Sequence, residues 1–526
     1  MKLAFSAFLL LTLSMSSYQP LHAQQADVLI RNGKIIDGTG NSWFIGDLAV
    51  RAGKIVKIGR LNNWKAGKII DASGLIVAPG FIDVHTHIEG DEKKNPLASN
   101  FIYDGVTSVV TGNCGISEVN LGNYLRMIDS LRPAINVAAL IGHNDVRKAA
   151  MGSANRDPNE AEMQHMESIV EQAMKDGAVG MSTGLIYIPG TYSKTLEVVR
   201  LAKVTAQYNG VYASHMRSEG DSVVKAIEEA LTIGREARIP VEISHFKLSG
   251  QQNWGRSRET VPMIIKAREE GLDVTIDQYP YTASSTSLST LLPDWVLADG
   301  QDSIKARLAK PEIRKQVIDV MLKNLKKRGL PHFSYPVVAS FKPDSSYNGK
   351  SIEEVNLMRG RKHKVKEEAE TILQMMELGG AGMIFHGMSN EDVKAIMRYP
   401  FNMFASDASI RVFGSGNPHP RGYGTNARVL GKYVREEKVI SLEEAIRRMT
   451  SLPAQKFNLQ NRGLLREGFA ADLVIFDEKT VNDLSTYDQP HQYSNGFKYV
   501  LVNGVVSVEN GVQNNSRTGI ALRNNQ

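Results

Sequence analysis

Between residues 81 and 406 the chain repeats one theme: a short apolar run that reads as a strand, followed by a stretch with helical spacing. The candidate strands are residues 81–85, 106–111, 135–141, 178–182, 211–214, 240–244, 273–277 and 401–406. Helical patterns lie between most of them. Residues 222–237 are an example, with Val223, Val224, Ile227, Ala230 and Leu231 on one stripe. Strands alternating with helices predict a parallel α/β sheet, and eight of them is the count of a (β/α)8 TIM-like barrel. The gap between Asp277 and Phe401 is far longer than one connection needs. It predicts an inserted subdomain at about residues 288–395, before the last barrel strand, with a lysine-rich helical stretch at 303–327.

At 526 residues the chain has room for more than this barrel. Residues 26–80 read as short strands and turns: a strand over 26–30, a tight turn at Arg31-Asn32-Gly33-Lys34, and a strand after it. Residues 471–476 and 500–505 repeat the pattern. These β-rich ends predict one small β-sandwich built from 26–80 and 455–526, with the barrel over 81–454. Ahead of both, Lys2 precedes an apolar run over 3–13, and Leu21-His22-Ala23 offers a small residue for cleavage. That is the plan of a signal peptide over residues 1–23, so the chain is expected to be exported, to a periplasm or beyond. No Cys stands directly behind the run to carry a lipid anchor, and nothing later looks transmembrane, so no membrane partner is expected once the leader is gone. The net charge of +6 comes without a basic stripe interleaved with aromatics, which gives no support to nucleic-acid binding. The oligomeric state is left open.

The chemistry-bearing residues fall in register with the strands. His85 and His87 close the first, Cys114 follows the second, His215 ends the fifth, His245 the sixth and Asp407 the eighth. These are C-terminal strand ends, the face on which barrel enzymes carry their active sites. His-x-His puts both imidazoles on one face, because strand side chains alternate with period two. A strand-end His alone reads as a hydrogen-bonded structural residue, and Cys114 alone as a buried spectator. Six such residues at matching ends read as a metal site. Cys114 is the single Cys, so no internal disulfide is possible. His165, His332, His363 and His491 show no such register and read as solvated. His143, His386 and His419 are possible neighbours of the site. The basic run Arg359-Arg361-Lys362-His363-Lys364 reads as a solvated loop.

The run Pro79-Gly80-Phe81-Ile82-Asp83-Val84-His85-Thr86-His87 resembles the opening motif of the amidohydrolase superfamily. The resemblance sharpens to the N-acyl-D-amino-acid deacylases (D-aminoacylases). It is carried by Thr111-Gly112-Asn113-Cys114-Gly115, Gly177 to Leu185, Ser214-His215-Met216-Arg217, Ser244-His245-Phe246-Lys247, Tyr279-Pro280-Tyr281, Ser406-Asp407 and His419-Pro420-Arg421. The fourth strand lacks the bridging Lys common in the wider superfamily, as in this branch, where a Cys takes over as ligand. The resemblance implies a zinc-dependent hydrolase of N-acyl-D-amino acids. Cys114, His215 and His245 would hold one tightly bound Zn2+. His85 and His87 would form a weaker second site or flank the first. Asp407 would be the catalytic carboxylate, moving a proton from water to the leaving amine. Lys247, Tyr279 (or, by spacing, Tyr281), Ser285 and Arg421 would bind the substrate carboxylate.

Other readings stand beside this one. A cyclic amidase of hydantoinase or dihydroorotase type, or a hydrolase of D-aminoacyl dipeptides, would keep the metal site. A non-catalytic binding protein would have lost a ligand or Asp407. A barrel glycosidase would use paired carboxylates, for which Glu242 and Asp277 are the candidates, and would leave the His/Cys set idle.

Overall fold

The parallel strands that the sequence suggests form a nearly closed barrel in the computed structural model, which describes residues 25–524; the expected leader lies outside them. The strands are Phe81–Asp83, Val106–Thr111, Asn136–Gly142, Gly180–Gly184, Val211–His215, Val241–Ile243, Val274–Gln278 and Asn402–Phe404, paired in chain order. Their faces alternate as period two requires. Val137, Ala139 and Ile141 point outward to the helices, while Ala138 and Leu140 point inward. The first and last strands meet through a parallel bridge between Thr86 and Ala408. His87 N donates to Ala408 O (2.9 Å) and Asp407 N to His85 O (2.9 Å). Asp83 Oδ1 ties the seam by accepting both His85 N and Ser406 N at 3.1 Å. The fold therefore sets Asp407 directly beside the His85–His87 segment.

The floor of the barrel is filled from the C-terminal part of the chain. Leu452, Phe457, Leu459 and Leu522 pack against the inward residues Ile82, Val110, Leu140 and Met403. Residues 455–524 thus serve both the barrel and the terminal sheet, where the sequence reading gave 455–526 to the sandwich alone.

The terminal sheet has nine strands drawn from both ends of the chain. Its first strand, Gln25–Ile35, is continuous through Arg31-Asn32-Gly33-Lys34, where the sequence suggested a tight turn. Asn32 sits at φ 58° and its N–H donates to Asp47 Oδ1 (2.9 Å), which gives a bulge instead of a reversal. Beyond the bulge the strand exchanges one parallel partner, Lys65–Asp71, for another, Ile76–Pro79. Both ends of the chain share a core in this sheet, which includes Val28, Leu48 and Val77 from the N-terminal part and Leu473 and Leu501 from the C-terminal part.

The insert has a core of its own, with Val317, Ile318, Met321 and Leu325 of the helix Pro311–Lys327 against Ile372 and Met376. It carries a three-stranded antiparallel sheet of Ala283–Ser287, Gly382–His386 and Pro336–Ser340. It therefore starts ahead of residue 288. The helix Asn390–Met397 packs Val393, Ile396 and Met397 into the barrel core, so the insert ends before 395. Its serine-rich first strand lacks the apolar alternation that marks a half-buried strand, which is why it escapes sequence reading.

Candidate metal centre

Cys114 is delivered by a loop that only glycine can make. Gly112 and Gly115 have φ 80° and 77°, and a Cβ on Gly112 would collide with the Leu140 carbonyl. Ser182, on the fourth strand, fastens the loop: its Oγ donates to Gly112 O and accepts Gly115 N (2.9 Å). The thiol lies 3.4 Å from His215 Nδ1, 3.6 Å from His245 Nε2 and 3.3 Å from His85 Nε2. Tetrahedral zinc with a thiolate at ~2.3 Å and imidazoles at ~2.0–2.1 Å holds sulfur and nitrogen about 3.5 Å apart. The Cys114, His215 and His245 atoms already stand at that separation. A second grouping, His85, His245 and Asp407, adjoins the first.

The electrostatics also suit a cation. Burial pushes the Cys114 thiol well above its ordinary range, and Asp407 adds to the rise. A thiolate at this position needs a positive charge beside it. Burial, with His245 nearby, pushes His215 well below the usual imidazole range, leaving a neutral lone pair to donate.

Behind the imidazoles stand carboxylates that aim them. Asp277 Oδ2 lies 3.3 Å from His85 Nδ1, and its Oδ1 accepts His245 N (2.9 Å). Glu219 Oε1 lies 2.8 Å from His245 Nδ1 and pairs with Lys247. Burial raises the Glu219 carboxyl, but Lys247, His245 and His215 together outweigh it and hold the group well below the carboxylate range. Carboxylates behind ligating imidazoles fix their orientation and their basicity. Glu219 escapes the sequence reading because it lies in a loop; its only signal is that it follows His215 by four residues. Glu242 and Asp277, the glycosidase candidates, are both buried beneath the centre and away from the cavity wall. Burial and the charge of Asp277 raise the Glu242 carboxyl, while His85 holds Asp277 below its ordinary value against its own burial.

A cavity of about 1120 Å³ opens over the centre, between the barrel mouth and the insert. Asp407 stands at its floor, with Oδ1 3.4 Å from His87 Nε2 and 3.7 Å from His85 Nε2, and Oδ2 2.8 Å from Arg421 Nη1. Burial opposes its charge, yet Arg421 and His85 hold its pKa well below the ordinary value. Lys247, Tyr279, Ser285 and Arg421 all reach the cavity wall. The Tyr279 ring lies between two cations, 4.5 Å from the Arg421 guanidinium and 5.4 Å from Lys247 Nζ. Its hydroxyl is buried without a partner among the described residues. Tyr281 faces away, toward Asp483 and Arg428, so the geometry separates two tyrosines that spacing could not. The Ser285 hydroxyl is already donated to Met383 O (2.9 Å), and its own carbonyl accepts Arg421 Nη2.

Of the three possible neighbours, His386 reaches the cavity wall. His419 lies behind it, with Nε2 2.9 Å from Ala283 O and Nδ1 accepting Arg421 N (3.0 Å). His143 is buried against Glu197 at 2.8 Å, away from the cavity. Three of the four histidines read as solvated make polar contacts, although His363 remains half-exposed: His332 with Glu368, His363 with Glu353, and His491 with Gly414, Gly416 and Tyr423.

A family model described as "Amidohydrolase family" matches residues 68–332 and 342–508. The chain belongs to the amidohydrolase family. Within that family it is 36% identical over 506 residues to a D-aminoacylase of Alcaligenes xylosoxydans xylosoxydans, covering 92% of this chain and 94% of that one. It is 34% identical over 503 residues to an N-acyl-D-glutamate deacylase of the same organism, covering 91% and 93%. Among solved structures, the N-acyl-D-glutamate deacylase of Bordetella bronchiseptica superposes with a TM-score of 0.81 at 36% identity, over 95% of this chain and 100% of that one. That enzyme was solved with zinc and a phosphonate mimic of the tetrahedral intermediate. The resemblance to the D-aminoacylase branch is thus borne out across the barrel and the terminal sheet together.

Proposed function

We propose that this amidohydrolase uses zinc to hydrolyse the amide bond of N-acyl-D-amino acids, releasing a carboxylate and the free D-amino acid. The observation that carries the reading is Cys114, set at zinc-ligand distance from His215 and His245 on the floor of a cavity whose wall holds two cations. Zinc, when bound, supplies Lewis acidity that polarises an amide carbonyl and lowers the pKa of water to about 7. Asp407 faces the same point from the eighth strand. It takes the proton of the attacking water and returns it to the amide nitrogen, a poor leaving group unless protonated. Arg421 offers a planar fork to the substrate carboxylate, and Lys247 a point charge on the other side of Tyr279. The unpartnered Tyr279 hydroxyl adds a donor between them. His85 and His87 line the weaker position beside Asp407. The D configuration follows the relatives, and the two cations account for an anionic substrate of either hand.

The deciding experiment is a screen with zinc present. It pairs N-acetyl, N-formyl and dipeptide forms of D- and L-amino acids and includes a hydantoin as a ring-opening control. Turnover of the D-forms of the linear amides is expected. Exclusive activity on L-forms, or on the cyclic substrate, would overturn the reading.

We also propose export, on the strength of Lys2 and the apolar run over residues 3–13. Among the described residues no helix is long and apolar enough to cross a membrane. Export predicts a mature N-terminus near Gln24 in a periplasmic or secreted fraction. A full-length chain retained in the cytoplasm would refute it.

A further inference from the structure

We propose a second metal site, separate from the catalytic centre and built entirely within the insert, that takes one divalent ion of the zinc class on His332, Glu353, His363 and Glu368. The four residues come from four segments. His332 lies in the loop after the helix Pro311–Lys327, and Glu353 in the first turn of Ile352–Met358. His363 lies in the loop that follows, and Glu368 in the first turn of Val365–Glu377. Their ligand atoms all lie within 4.8 Å of one another. The two imidazole rings stack at 4.1 Å with 18° between their planes. His332 Nδ1 is 2.6 Å from Glu368 Oε1, and His363 Nε2 is 2.6 Å from Glu353 Oε1.

The charge arrangement argues for an ion. Glu368 is fully buried, and among the described residues its carboxylate meets only His332 and the Phe333 N–H (2.8 Å). Among the described residues no Lys or Arg pairs with Glu353 or Glu368. The two arginines of the neighbouring basic run turn elsewhere: Arg359 donates to Gln374, and Arg361 to Glu367 O (3.2 Å). A buried carboxylate ordinarily keeps a cation beside it. Two imidazoles and two carboxylates form a set that suits zinc; magnesium and calcium prefer all-oxygen sites. Tetrahedral zinc needs these atoms about 3.4 Å apart. The two His–Glu contacts, each 2.6 Å, open on binding while the wider separations close, and the movement falls mainly on Glu353 and His363, whose side chains are partly exposed, at 23% and 50%.

The ion would act on the cavity wall. Arg328 and Tyr335, which flank the His332 loop, line the cavity, as does Met376 near the end of the helix that carries Glu368. A bond across the cluster staples that loop to that helix.

The test titrates zinc into the metal-free enzyme and counts ions per chain by equilibrium dialysis and elemental analysis, comparing the unaltered chain with His332→Ala/His363→Ala. The double variant is expected to bind one zinc fewer and to lose part of the zinc-dependent rise in melting temperature. Cobalt separates the sites: a sulfur-to-metal charge-transfer band reports Cys114 and should persist at full intensity while the total cobalt falls by one. Should the double variant fold poorly, the single His363→Ala, at a half-exposed position, gives the same reading as weakened binding of that ion. An unchanged zinc count with an unchanged zinc-dependent melting shift would overturn the proposal.

Discussion

Cys114, His245 and Asp407 hold φ of 53°, 38° and 50°, a backbone region that side chains with a Cβ rarely adopt. Each such residue costs about 1–3 kcal/mol, and such costs gather where geometry serves function. Here the strain turns three strand-end side chains back over the barrel mouth. Asn tolerates this conformation better than most residues, so Asp407→Asn keeps the backbone and removes the proton carrier. Loss of a general acid–base group slows turnover about 10²–10⁴-fold. That drop is expected with zinc content unchanged; a variant with near-normal turnover would end the proton-transfer role of Asp407. Cys114→Ala is expected to lose most of its catalytic zinc, because two imidazoles alone bind it poorly. Full occupancy in that variant, by elemental analysis, would remove Cys114 from the ligand set.

Elements bring these residues together, and the strands were the legible part. Residues 137–141 are apolar throughout, as strands buried on both faces tend to be, and the residues that close the strands announce the site. What stayed hidden depends on contacts between elements: Glu219 behind His245, His332 stacked on His363, and the serine-rich strand Ala283–Ser287. Asp104 is another such contact. It accepts Asn426 N (2.7 Å) and Ala427 N (3.0 Å) in the helix that begins at Arg421, and also Ser494 Oγ. Burial raises its pKa from 3.8 to about 7, against the pull of those hydrogen bonds. The folded state therefore holds this proton more tightly than the unfolded state does. The stability it contributes is complete below pH 3.8 and is lost as pH rises to about 7. The loss is at most about 4 kcal/mol, at 1.36 kcal/mol per pH unit. Asp104→Asn should flatten this part of the profile, with less change in melting temperature between pH 5 and pH 8 than the unaltered chain shows at the same zinc level. Parallel profiles would show that Asp104 is ionised throughout.

At the scale of the whole molecule, the chain ends hold the barrel as much as they hold their own sheet. The last described residues run beneath it: Val137 N donates to Ile520 O (3.0 Å), Leu522 N to Val137 O (2.8 Å), and Ala521 N to Asp129 Oδ1 (2.9 Å). Leu522 completes the floor beside Ile82 and Leu140. The apolar run of residues 520–522 is too short to mark it as core, because its burial exists only once the barrel has closed. Ending the chain after Thr518 would expose that floor and leave both backbone groups of Val137 without partners. Burial of one leucine is worth about 1.5–3 kcal/mol, and each orphaned backbone group adds about 1–3 kcal/mol. The truncated chain should therefore melt several degrees lower, with the Val137 amide losing its protection from hydrogen exchange while the amides of Gln25–Ile35 in the terminal sheet keep theirs. If the melting temperature and the Val137 amide are both unaffected, the tail is a surface appendage, and the floor closes on Leu452, Phe457 and Leu459 without it.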